Sequence, residues 1–138
     1  MRKLSYNNAV SWYESAKLLE TNGFFQQSVS QSCLAVELFL KSKLLIVDPD
    51  SDLDKSHDSI NIFRVLVDRY PTSRDLLPGI RHCRKYFNEA RYPYSGTDVY
   101  TRDFAQEFLS YAQAVKDYID NDCHATFEDL KQKYGNQD

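Results

Sequence analysis

Glycine and proline are scarce, at four of each in 138 residues. All-β folds spend turn formers about every 8–12 residues, so this poverty excludes a sandwich or barrel and favours helices. Long apolar runs are missing too. The greasiest stretch, Leu34 to Val47, is interrupted by Glu37, Lys41 and Lys43, and the N-terminus has no apolar run of signal-peptide length. A membrane span and a secretory leader are therefore not expected, and a cytoplasmic location is. Cysteine is limited to Cys33, Cys83 and Cys123, with no C-x-x-C pair. That spacing excludes a zinc finger and a disulfide framework and predicts reduced thiols. Neither sign of charge dominates, with 17 basic against 20 acidic residues and a net of −3. There is no Gly-rich phosphate loop, no H-E-x-x-H and no G-x-S-x-G, so no cofactor, no metal and no serine nucleophile are expected.

What the chain has in quantity is aromatics, at 14%, and a segregated charge. Residues 64–97 hold seven basic and three acidic residues, including six of the eight arginines, for a net of +4. Residues 98–138 hold four basic and nine acidic residues, for a net of −5. The length suits one domain, since domains commonly run ~100–150 residues. The whole of 1–138 reads as one helical domain, with its core at about 5–120 and 121–138 as a peripheral tail.

Apolar periodicity predicts five main helices. The first spans Ser5 to Thr21 with Ala9, Trp12, Ala16 and Leu19 inward, and Asn22-Gly23 stops it. The second, Phe24 to Val47, has an apolar stripe from Val29 to Val47 widened by Leu34, Leu38 and Leu45, which makes it the central helix. The third runs from Asp58 to Tyr70 with Ser56 as N-cap. The fourth starts at the Thr72–Asp75 cluster and ends near Ala90, with Leu76, Leu77, Ile80, Cys83 and Phe87 inward. The fifth runs from Thr101 to Asp120, and a short polar C-terminal helix covers Thr126 to Tyr134. Short connections favour antiparallel neighbours, so the fold class is all-α, an up-and-down bundle. The alternating acids Asp48, Asp50, Asp52 and Asp54 imitate a calcium loop, but its sixth and twelfth positions hold Leu53 and Ser59, not glycine and glutamate. They read as a solvated connector.

Two places carry recognisable chemistry. His57 and Asp58 sit at a helix start, where free backbone N–H groups attract anions and a histidine titrates near neutral pH. Arg81, Arg84, Asn88 and Arg91 follow at spacings of three, four and three, which places them on one face or just past its end. Tyr92 and Tyr94 begin the loop beyond. Guanidinium groups can hold phosphate bidentately, and tyrosines can stack a base.

The ordered segments SCLAVELFLKSKLL, KSHDSINIF and FNEARYP, ahead of a last amphipathic helix, resemble the HEPN domain over about residues 5–120. The resemblance implies a helical up-and-down bundle, a homodimer, and binding of nucleotide or RNA phosphate. It also implies a possible minimal nucleotidyltransferase partner, as in toxin–antitoxin pairs. By position, Glu37 and Lys41 match the polar positions of the second-helix motif, and His57 and Asp58 match the histidine motif. Asn88, Arg91, Tyr92 and Pro93 match the end of the fourth helix and the loop after it. RNase members carry arginine and histidine separated by four to six residues on one helix. His57 would need that arginine among Asp50 to Asp52, His82 among Asp75 to Leu77, and His124 among Asp117 to Ile119; none is there. The expectation is therefore binding at Glu37, Lys41, His57, Asp58, Arg84, Asn88, Arg91, Tyr92 and Tyr94 without a catalytic residue. The alternatives are an RNase toxin with a degenerate motif, using Arg84, Arg91 or His57, and a pure protein–protein adaptor.

Overall fold

The structure, a computed structural model, describes residues 2–90 and 99–123. Five α-helices form the bundle: α1 (Arg2–Thr21), α2 (Phe25–Val47), α3 (Ser59–Arg69), α4 (Leu77–Glu89) and α5 (Arg102–Asp117). A one-turn 3-10 helix (Asp52–Lys55) precedes α3, and a π-helical turn (Tyr118–Asp122) continues α5. No strand occurs among the described residues. The expected all-α class and the central second helix are both observed. Helix α2 packs against each of the other four and buries Val29, Cys33, Val36, Phe39, Leu40 and Leu44. The short C-terminal helix expected at Thr126 to Tyr134, and residues 91–98, lie outside the described residues.

The α1–α2 turn shows why glycine was needed once. Gly23 has φ +85°, the left-handed region that other residues avoid. There its N–H reaches the Glu20 carbonyl at 3.1 Å while the Phe24 N–H reaches Leu19 at 2.8 Å, a Schellman ending. Glu20, buried in the last turn of α1, accepts from Arg102 at 2.6 Å and Gln106 at 3.1 Å, tying α1 to the start of α5.

Two expected helix starts are corrected. Helix α3 is capped by Asp58, whose Oδ1 accepts from the Asn61 N–H at 3.2 Å. Ser56 instead closes the preceding turn, donating to the Leu53 carbonyl at 2.8 Å and accepting from the Asp58 N–H at 3.2 Å. Helix α4 begins at Leu77 rather than in the Thr72–Asp75 cluster. The Thr72 hydroxyl is spent on Asp122, and Pro78 in the first turn supplies a preset φ where no N–H partner exists. Trp12 is also corrected: it is 38% exposed, and the neighbouring Tyr13 is buried in its place, donating to Gln113 at 2.7 Å.

Candidate functional site

Glutamate is rarely buried without a partner. Glu37, in the middle of α2, is 4% exposed and has two. Its Oε2 lies 3.4 Å from Nζ of Lys41, one turn along the same helix, and its Oε1 lies 2.8 Å from Nδ1 of His57. Both are consistent with an ionised carboxylate, which only accepts. The shared proton is therefore assigned to Nδ1, and Nε2 is the free ring nitrogen. The His57 side chain is 67% exposed, and its ring rests on Phe87 of α4 with centroids 5.1 Å apart and planes 30° apart.

Arg84, one turn before Phe87, closes the same corner from α4. Its Nη1 is 3.2 Å from Asp58 Oδ1 and donates to the His57 carbonyl at 3.2 Å. Asp58 thus joins two helices, since the same carboxylate caps α3. Five of the residues expected from sequence, Glu37, Lys41, His57, Asp58 and Arg84, meet in one linked cluster. Asn88 is exposed one turn beyond Arg84 on α4. Arg91, Tyr92 and Tyr94 lie outside the described residues. Glu37 carries His57 and Lys41, and Asp58 carries Arg84.

Beside His57 opens a cleft of about 400 Å³ lined by Trp12, Ser30, Gln31, Leu34, His57 and Phe87. Trp12, Leu34 and Phe87 give it an aromatic and aliphatic side, and Ser30, Gln31 and His57 a polar one. Sequence reasoning assigned Trp12, Leu34 and Phe87 to the core, because each lies at the margin of an apolar stripe. Periodicity cannot separate a margin residue that finishes the core from one that lines a cleft. Gln31 had no signal at all. No group of three metal-ligating side chains is found among the described residues, and no described helix is long and apolar enough to cross a membrane.

Compared with known proteins, the chain matches no curated protein and no solved structure. Residues 3–122 do match the family model of the HEPN domain. That match runs from the start of α1 to the last residue of the π-turn after α5, so it takes in every helix described above. The chain belongs to the HEPN domain family.

Proposed function

We propose that this chain binds nucleotide or RNA phosphate at the corner where α2, α3 and α4 meet, and that it does so as a homodimer. Membership of the HEPN family points to a nucleotide- or RNA-related function, and HEPN domains often dimerise and bind RNA. The observation that carries the site is the Glu37–His57 pair. A buried carboxylate holds Nδ1 at 2.8 Å, and the mostly exposed ring lines a mixed polar and apolar cleft with Arg84 alongside. Phosphate oxygens accept hydrogen bonds from a guanidinium and from an imidazolium, so a bound phosphate would bring a proton to Nε2 while Nδ1–H stays on Glu37, and a base can lie on Phe87 and Trp12. Lys41 then acts behind the site, as the second partner of the Glu37 carboxylate. Arg91, Tyr92 and Tyr94 are proposed to complete the corner from the following loop. A minimal nucleotidyltransferase, as in toxin–antitoxin operons, is the proposed protein partner.

The test is a titration of fluorescent nucleotide and short RNA into wild type, His57→Ala and Arg84→Ala. Each charge-assisted bond is worth ~1.5–3 kcal/mol, so each variant should lose at least about tenfold in affinity. Unchanged affinity in both would defeat the corner.

The Glu37 contact also favours a second reading. A histidine with one nitrogen fixed by a carboxylate and the other free is the arrangement of a general base. RNA cleavage that survives a chelator and vanishes in His57→Ala would make the protein an RNase despite its missing arginine–histidine spacing. Intact RNA at high protein concentration would keep it a binder.

A further inference from the structure

The corner covers only one flank of α4. Arg81, Arg84, Lys85 and Asn88 lie at spacings that place them on one face, and all four are exposed. Arg84 shares its charge with Asp58. Arg81 has no ion pair or hydrogen bond among the described residues, and Lys85 lies over the Tyr86 ring, 5.3 Å from its centroid. This strip belongs to the stretch 64–97, which carries a net +4 in a chain that is acidic overall.

Its far flank carries a second histidine held like the first. His82 is exposed, with Nδ1 2.8 Å from the Tyr111 hydroxyl, which in turn donates to Glu107. Burial and the Glu107 carboxylate push the Tyr111 hydroxyl well above the usual tyrosine range, so it stays a donor to Glu107. Its oxygen then accepts from the His82 Nδ1–H, and Nε2 is again the free nitrogen. Two separate neighbourhoods, Glu37 on one side and Tyr111–Glu107 on the other, fix the two rings the same way around one cationic strip.

A single phosphate has no use for both flanks. Arg81 to Asn88 covers ~10 Å of helix axis, and a stacked strand advances about 3.4 Å per nucleotide. The strip is therefore about three nucleotides long. Resting on the corner reading above, we infer that the outer face of α4 is a track for a single-stranded RNA backbone running from His57 to His82. The ligand is then a polynucleotide rather than a free nucleotide.

The experiment is fluorescence anisotropy on the full chain with an oligouridylate of about 12 nucleotides, within the usual range of single-strand sites, repeated across salt concentrations. Uridine monophosphate and a polyglutamate peptide serve as competitors. Each phosphate contact on a single strand adds about 0.7 to the slope of log affinity against log salt. Arg81→Ala/Lys85→Ala should therefore flatten the slope by about 1.4. It should lose at least about tenfold in RNA affinity and leave the monophosphate affinity unchanged. His82→Ala should cost about fivefold, the one hydrogen bond its Nε2 would accept from a ribose hydroxyl. An unchanged slope and affinity in the double variant, with RNA binding lost in His57→Ala/Arg84→Ala, would leave the corner standing and overturn the track. Equal competition by polyglutamate would overturn it in favour of an acidic protein surface. No RNA binding by the wild type would overturn the track and the RNA part of the corner reading together. Circular dichroism melts on each variant separate these outcomes from unfolding.

Discussion

Glu37 is the residue on which the corner depends most. Removing one partner of a buried ion pair leaves the other desolvated and uncompensated. Glu37→Ala should lose about 3 kcal/mol, because Lys41, whose side chain is only 11% exposed, is left behind. His57→Ala should lose less, about 1–2 kcal/mol, since Lys41 still pairs with the buried Glu37 and water can replace a ring that is mostly exposed. Urea unfolding of both variants checks the order, and a His57 variant as unstable as the Glu37 variant would make the histidine structural. Cys123 gives a pH test of the core. Burial pushes its thiol up to about 11. A folded pKa raised above the unfolded value means the contribution is complete below about pH 9 and lost as pH rises through about 11. Wild type should lose up to about 3 kcal/mol across that window relative to Cys123→Ala; parallel losses in the two proteins would contradict the assignment. Much at this scale was legible beforehand. The motifs identified Glu37, Lys41, His57, Asp58 and Arg84, but their pairing was not legible, because Glu37 and His57 are brought together by packing between elements.

Helix α4 presents both the corner and the cationic strip, so its seat on α5 decides how both are displayed. That seat is Gly79. A Cβ there would sit 2.7 Å from Cδ1 and 2.9 Å from Cγ of Tyr111, near the root of that side chain, where it cannot swing away. Alanine favours a helix interior by up to about 1 kcal/mol over glycine, yet Gly79→Ala should destabilise by about 1–3 kcal/mol through overpacking. Thermal melts check the sign, and the added change Tyr111→Ala should remove most of the penalty. A stabilised Gly79→Ala would mean the two helices sit further apart than described. The helices themselves were readable from spacing, most clearly α2 and α5. Their ends were less so, because serine, threonine and aspartate crowd the 51–58 and 72–75 connections. Which of them caps a helix depends on partners such as Asp122 and Arg84, far away in sequence.

For the whole molecule, the large exposed apolar side chains lie outside α2 and α5. Leu18 is 65% exposed and Phe24 54%, at the end of α1 and in its turn, while Val99, at 42%, precedes α5. A homodimer burying ~1,200 Å² or more is proposed. Sedimentation at micromolar concentration should report twice the 16.1 kDa chain mass, and a monomer alone would remove that part of the proposal. The central claim, that RNA or nucleotide phosphate meets His57 Nε2 at the α2–α3–α4 corner, is tested most directly by long-range ¹H–¹⁵N correlation of the histidine rings during titration with short single-stranded RNA. The account predicts that His57 appears as the Nδ1–H form in the free protein and that its Nε2 resonance moves further than Nδ1 as RNA saturates. RNA that saturates the protein while the His57 ring stays unmoved would contradict it.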